Sequence, residues 1–399
     1  MDTYKSIDDL DLKSNRALVR LDLNVPVNDG AVTDTTRIDR SIGTIKDLSA
    51  AGAKVILVSH FGRPKGAPNP DLSLRQVLSA LEGALGQHVA FAEDCIGEAA
   101  SSAVDAMADG DVLLLENTRF HKGEEANDPV FVEALASLAD LFVNDAFSVS
   151  HRAHATSAGL AEKLPCAAGR ALEAEVEALE TVLGAPQRPV TAIVGGAKVS
   201  TKLELLSNLL DKVDYLVIGG GMANTFLAAR GDPVGASLCE HELGDTARKI
   251  ANDAKTKNVD LVLPTDVVVA TALKPMAETQ VIPVSDVGAK DMILDVGPNS
   301  LIEIAARLEA SRTVLWNGPL GAFETPPFDN GTNQAARHVG MLTKIGQTVS
   351  VAGGGDTVAA LANAGAEDEF TYVSTAGGAF LEWLEGKELP GLKALKKSG

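Results

Sequence analysis

The sequence predicts an α/β protein of two domains, each built on a mainly parallel sheet covered by helices. Three observations carry that prediction. The chain has 399 residues, above the usual size of one hydrophobic core. Short apolar runs alternate with longer helical stretches from end to end. Hydrophobic residues make up 45% of the chain but aromatics only 4%, so the cores must be built from Ala, Val, Leu and Ile, a composition suited to strands buried on both faces.

The runs can be assigned in order. Strands are expected at Ala17–Asp22, Lys54–Ser59, Val112–Glu116 and Leu141–Asn144. In the second half they are expected at Val190–Val194, Tyr215–Ile218, Leu261–Leu263, Val314–Trp316, Val349–Ala352 and Tyr372–Ser374. Most are continuous rather than alternating, as fully covered strands are. Helices are expected at Arg40–Ala50, Leu74–Leu85, Pro129–Leu138 and Asp245–Lys255. Between Gly169 and Pro189, the residues Leu172, Val176, Leu179 and Leu183 recur at helical spacing before the stop GAPQRP. This segment reads as a connecting helix and linker. It sets expected bounds of 1–170 for the first domain, 171–385 for the hinge helix and second domain, and 386–399 for a tail.

Bulk properties exclude several functions. A net charge of −19 argues against nucleic acid and against an anionic membrane surface as partners. No apolar stretch approaches membrane-spanning length, and MDTYKSIDDL lacks the pattern of a signal peptide. Cys95, Cys166 and Cys239 are far apart and odd in number, which points to a reducing cytoplasmic setting and to small buried hydrophobes rather than disulfides.

Against the acidic background, six basic residues stand at or just beyond expected strand ends: Arg20, Arg37, His60, Arg63, Arg119 and Arg152. Open α/β sheets bind ligands at the carboxyl ends of their strands. Arginine forks match carboxylate and phosphate oxygens, so the group suggests a pocket for a small, multiply charged acid. Asp22 and Asn24 can accept hydrogen bonds from hydroxyls of such a ligand. Any one Arg alone would read as a surface ion-pair partner; the repeated placement favours binding. His60, His151 and His154 lack a carboxylate or cysteine cluster and read as anion contacts or packing rather than as a metal site.

The second half supplies glycine clusters. GGAKVSTKLELL (Gly195–Leu206) sets a turn before a helix, with Ser200 or Thr201 as the expected N-cap. Lys202 then falls in the first turn, where a phosphoryl group would suit its charge, and Lys198 is a second phosphate candidate. In SVAGGGDTVAAL (Ser350–Leu361), backbone amides at a helix start suit phosphate, and Asp356 is either a helix cap or a carboxylate for Mg²⁺. Ala376, Gly377 and Gly378 open another helix, and Asn317 and Glu324 lie where a ribose could be held. Trp316 reads as core. There is no GxxxxGKS/T, and GGGMAN and GGGDTV both lack the third glycine of a dinucleotide fingerprint.

Assembled, these segments resemble the phosphoglycerate kinase family. RLDLNVP, SHFGRP, LLLENTRFHKGEE, VNDAFSVSHRAHAT and GGAKVSTKL are followed in family order by IGGGMANTFL, LPTDVVVA, WNGPLGAFE, GGGDTVAAL and STAGGAFLEWLEG, from residue 20 to residue 386. The resemblance implies two Rossmann-like three-layer α/β/α domains, a hinge whose closure brings them together, and a tail returning to the first domain. It implies reversible phosphoryl transfer between 1,3-bisphosphoglycerate with Mg-ADP and 3-phosphoglycerate with Mg-ATP, by a cytoplasmic monomer. It assigns Asp22, Asn24, Arg37, His60, Arg63, Arg119 and Arg152 to the glycerate. To the nucleotide it assigns Gly196, Ala197, Lys198, Lys202, Gly220, Asn317, Glu324 and the run Gly353, Gly354, Gly355, Asp356 and Thr357. Arg37, Lys202, Gly377 and Gly378 are the expected catalytic group, and Asp356 the expected metal ligand.

Two departures stand out. Ala376 occupies the place of a family glycine, where a positive φ would be disfavoured. Ser148 and Ser150 replace small residues common before HRAH. The remaining alternatives are an NAD-dependent dehydrogenase of α/β fold and a non-catalytic two-lobed binding protein for a phosphorylated ligand.

Overall fold

The computed structural model describes residues 4–397. The chain divides into two compact units, Met1–Glu177 with Glu388–Gly399, and Ala178–Lys387. The division falls inside the helix Arg170–Leu183, whereas the sequence placed that whole helix with the second unit. Its four spaced apolar residues, Leu172, Val176, Leu179 and Leu183, are all buried.

In the first unit, β1 (Arg16–Arg20) is followed by a short hairpin of β2 (Val27–Asn28) and β3 (Ala31–Val32). Then come β4 (Lys54–Val58), β5 (Ala90–Ala92), β6 (Val112–Leu115), β7 (Leu141–Asn144) and β8 (Cys166–Ala168). Six of these form a sheet in the order β5-β6-β4-β1-β7-β8, all parallel. The chain moves outward from β1 to β4 and later returns to β1's other side with β7. That reversal opens a crevice at the carboxyl ends of β1, β4 and β7. Val19, Val55, Leu57, Leu114 and Val143 share one buried cluster with Ile38, Ile45 and Leu48 of the helix Thr36–Ala50. The tail packs within this unit: Asn144 Nδ2 donates to the Gly391 carbonyl at 3.1 Å, and Gly391 N–H to the Ser150 carbonyl at 2.8 Å.

The second unit repeats the plan. Its strands are β9 (Val190–Val194), β10 (Tyr215–Ile218), β11 (Asp260–Val262), β12 (Asp266–Ala270), β13 (Gln280–Pro283), β14 (Met292–Val296), β15 (Thr313–Asn317), β16 (Val349–Gly353) and β17 (Tyr372–Ser374). The main sheet runs β11-β10-β9-β15-β16-β17, all parallel, and reverses direction between β9 and β15. Trp316 is buried in its core as expected. A second, antiparallel sheet, β13-β12-β14, was not anticipated. Gln280–Pro283 is mostly exposed, and its short run Val281–Ile282 is broken by Pro283.

Candidate active site

In the first unit, residues beyond four strand ends line one cavity of about 180 Å³. Asn24 follows β1, His60 and Arg63 follow β4, Arg119 follows β6, and Arg152 follows β7. Among the described residues, no carboxylate lines it. Asn24 Oδ1 accepts from Gly62 N–H at 2.9 Å, which ties the β1 loop to the β4 loop. Arg119 is buried, donates to the Gly62 carbonyl at 2.9 Å and faces Glu125 at 3.3 Å. Burial, the first cause, lowers its pKa, and its neighbours Arg20 and Arg152 act in the same direction. Crowded, partly desolvated guanidinium groups of this kind gain from an incoming anion.

Behind the cavity, Arg20 Nη2 lies 2.9 Å from Nδ1 of His60. A guanidinium has no acceptor, so Arg20 donates and Nδ1 accepts. The neutral ring therefore carries its proton on Nε2. Burial holds the His60 pKa well below 6.5, and Arg20, Arg119, Arg152 and Arg37 reinforce the effect. His154 is pushed down to about 4 by burial and by Arg119 and Arg152. Arg20 Nε and Nη1 are buried without a hydrogen-bond partner.

Arg37 and Asp22 are beside this cavity rather than on its wall. Arg37 Nη1 donates to the Asn24 carbonyl at 2.8 Å and lies 3.2 Å from Asp22 Oδ2. The Ser148 hydroxyl donates to the same Asp22 oxygen at 2.6 Å. The serine at that sequence departure thus orients a predicted ligand-binding carboxylate.

In the second unit, a cleft of about 360 Å³ lies at the carboxyl ends of β9, β15 and β16. It is lined by Gly196, Ala197, Lys198, Lys202, Asn317 and Gly354 through Thr357, and by Gly377. Lys202 Nζ donates to the Gly195 carbonyl at 2.6 Å, to Asn317 Oδ1 at 2.6 Å and to the Asn317 carbonyl at 3.0 Å. Burial lowers its pKa to about 8, with Asp356 acting in the opposite sense. The expected Ser200 or Thr201 cap is not formed. Both lie in a 3-10 turn, Val199–Thr201, and Lys202 itself precedes the helix Leu203–Leu209. The Ser200 hydroxyl is taken instead by Glu240 at 2.5 Å, a partner 40 positions away that no local pattern reveals.

Gly354 has φ +100 and stands before the helix Gly355–Ala364; a Cβ there would lie 2.8 Å from Asn317 Nδ2. Only glycine meets both demands. Asp356, in the first turn, makes no ion pair or side-chain hydrogen bond among the described residues, so its carboxylate is free to take a cation. Thr357 Oγ1 accepts from Gly318 N–H at 2.7 Å, locking the β16 loop to the β15 loop. Gly353 and Gly378 do not line the cleft. Gly353 instead offers its carbonyl to Asn317 Nδ2 at 2.7 Å. Ala376 has φ −95, so alanine there imposes no left-handed strain.

Adjoining this cleft and sharing Gly196, Ala197 and Asp356 with it is an apolar slot of about 260 Å³. Gly220 and Glu324 lie on its wall, with Leu238, Met292, Leu294 and Phe323. Those four apolar residues were not singled out from sequence, because scattered Leu, Met and Phe read as ordinary core.

A lysine held at a glycine-lined helix start, with a free carboxylate beside it and an apolar slot next door, is the equipment of a phosphoryl-transfer enzyme. Residues 7–387 match the family described as phosphoglycerate kinase. A phosphoglycerate kinase of Rhizobium leguminosarum is 60% identical over 396 residues, 99% of each chain. One of Methylorubrum extorquens is 58% identical over 400 residues, the full length of both. The solved phosphoglycerate kinase of Coxiella burnetii superposes with a TM-score of 0.91 at 44% identity, covering 98% of each chain. That of Pyrococcus horikoshii gives 0.81 at 28% identity, also with 98% of each chain. The chain belongs to the phosphoglycerate kinase family. It is a kinase; the dehydrogenase and non-catalytic readings are not favoured.

Proposed function

We propose that the chain transfers a phosphoryl group reversibly between 1,3-bisphosphoglycerate with ADP and 3-phosphoglycerate with ATP, as a glycolytic enzyme. The observation that carries this reading is the arginine cavity of Asn24, His60, Arg63, Arg119 and Arg152, a concentration of positive charge in a chain of net charge −19. Its size and charge suit a small phosphorylated acid. Asp22 and Asn24 take the ligand's hydroxyls, and His60 donates from Nε2.

The nucleotide is assigned to the second unit. Its base and ribose occupy the apolar slot beside Gly220 and Glu324, and its phosphates the cleft of Gly196, Ala197, Lys198, Asn317, Gly354, Gly355 and Thr357. Mg²⁺ would be held by Asp356 together with phosphate oxygens, where it would neutralise charge on the transferring group. Gly353 supports this arrangement through Asn317 rather than by contact.

In the ATP-consuming direction the nucleophile is a carboxylate, ionised at neutral pH, so no general base is needed. The residues' work is alignment and charge stabilisation. Lys202 exchanges its carbonyl partners for phosphoryl oxygens. Arg37 holds the reacting carboxyl end, and the amide of Gly377, on the cleft wall, takes the remaining charge. A reducing, cytoplasmic setting and a monomeric working unit complete the reading, supported by three unpaired cysteines; light scattering tests the second. The decisive test is a coupled assay with 3-phosphoglycerate, ATP and Mg²⁺. Turnover that survives omission of any one component overturns the proposal.

A further inference from the structure

The loops that follow β5 and β6 bring together three side chains that the kinase reading does not use. β5 and β6 pair in parallel, so their carboxyl ends are neighbours. Beyond β5 stand Asp94 and Cys95; beyond β6, after the turn Thr118–Phe120, stands His121. One ligand atom from each lies within 4.8 Å of the others. His121 Nε2 and Asp94 Oδ1 are 2.7 Å apart, and Asp94 Oδ1 also accepts from Cys95 N–H at 2.6 Å. The thiol is buried, while His121 and Asp94 are partly exposed and offer an approach from solvent.

We infer that Asp94, Cys95 and His121 form a binding site for one thiophilic divalent cation of the zinc type, with water as fourth ligand. The donor set is sulfur, nitrogen and carboxylate oxygen, the mixture that Zn²⁺ and Co²⁺ take and that Mg²⁺ does not. Tetrahedral ligands at zinc bond lengths stand roughly 3.3–3.8 Å apart. From the observed spacing within 4.8 Å, the site requires side-chain rotation that opens the Asp94–His121 contact and draws the thiol inward. The ring of His121 is already held, stacked on Phe131 with centroids 5.3 Å apart. Such support orients a ligand before the ion arrives.

The local field has the right sign. Asp94, Glu124 and Glu116 lie close enough to Cys95 to act on it as negative neighbours. Glu116 and Glu124 are themselves buried. Negative groups so placed favour a bound cation. Asp94 pairs with no Lys or Arg among the described residues, and nearby Arg75 is engaged with Glu93 and the Phe91 ring. Binding releases the Cys95 proton to solvent, and the proton that His121 Nε2 donates to Asp94 in the free site moves to Nδ1, leaving Nε2 to take the metal. One proton therefore leaves per ion bound.

The test is a Co²⁺ titration of the full chain carrying Cys239→Ser. That substitution removes a second thiol, which lies 3.6 Å from His241 Nδ1. The expected result is a thiolate-to-cobalt band in the near ultraviolet with intense tetrahedral visible bands. Both saturate at one ion per chain and are displaced by Zn²⁺. Calorimetry in two buffers of different ionisation heat should report one proton released. Cys95→Ala should abolish the ultraviolet band, and His121→Gln, a change at a partly exposed residue, should weaken binding at least tenfold with the circular dichroism unchanged. Absence of the thiolate band, or its persistence at full strength in His121→Gln, overturns the inference whatever the chain's kinase activity.

Discussion

Arg20 and His60 are joined by a 2.9 Å contact between a guanidinium nitrogen and Nδ1, and Arg20 is only 2% exposed. The pair determines which nitrogen of His60 can face a ligand. Nitrogen-15 spectra should show Nδ1 unprotonated and Nε2 protonated, with His60 titrating well below 6.5. His60 in the folded chain stays neutral below 6.5, where the unfolded chain takes up a proton, so stability is lost as pH falls through that value. Arg20→Met should release the tautomer and raise the His60 pKa. A protonated Nδ1 in the parent chain would contradict the assignment.

Lys202 should set the alkaline limb of activity. Its pKa of about 8 in the free protein predicts that kcat/KM for nucleotide declines above that pH as the ammonium is lost. Lys202→Arg, which stays charged, should remove this limb even though turnover drops. An unchanged alkaline limb in that variant would assign it to another group.

Charge stabilisation at the transferring phosphoryl group implies large losses from single deletions. Lys202→Ala and Arg37→Ala should each lower kcat by about 10²–10³-fold. Arg37 carries a further expectation, because it also braces Asp22 and Asn24. Its removal should raise KM for 3-phosphoglycerate as well, whereas Lys202→Ala should leave that KM within a few-fold of the parent. Single-turnover and steady-state assays separate the two.

Asp145 is a buried carboxyl whose pKa is raised to about 7 by desolvation, opposed by its hydrogen bonds from Leu172 and Ala171 N–H at the start of the Arg170–Leu183 helix. Between pH 3.8 and 7 the folded chain keeps a proton that the unfolded chain has lost. Stability from this group is therefore full below about 3.8 and falls as pH rises through 7. Asp145→Asn keeps the accepting oxygen and cannot ionise. Its Tm relative to the parent's should rise from pH 5 to pH 8; a pH-independent difference would refute the shift.

Ala376→Gly restores the glycine more usual at that place in the resembled motif. Because φ is −95, the glycine relieves no strain. It should cost about 0.5–1 kcal/mol through unfolded-state entropy and leave kcat unchanged. A rise in kcat would show that the Gly377 amide needs a conformation alanine denies it.

Most of the site was legible as motifs because its residues sit just past continuous apolar strands, and strand ends are visible in local pattern. His60, Arg119, Lys202 and Gly354 all follow that rule. The Leu238, Met292, Leu294 and Phe323 slot was not legible, since nothing local distinguishes an apolar residue facing a ligand from one facing the core. The exposed edge strand Gln280–Pro283 and the Ser200–Glu240 pairing were missed for a related reason: each depends on a partner distant in sequence.

Sequence alone determined the α/β class with mainly parallel sheets and the connecting helix, and it named the candidate anion-binding side chains, because buried strand runs, helical spacing and glycine turns are local features of the chain. Tertiary structure decided which of those side chains line a cavity and which stand behind it. Arg37 pairs with Asp22, Arg20 sets the His60 tautomer, Ser148 orients Asp22, and burial brings Lys202 down to about 8. Desolvation and through-space pairing depend on what packs around a group, and strand order, not sequence spacing, governs that packing.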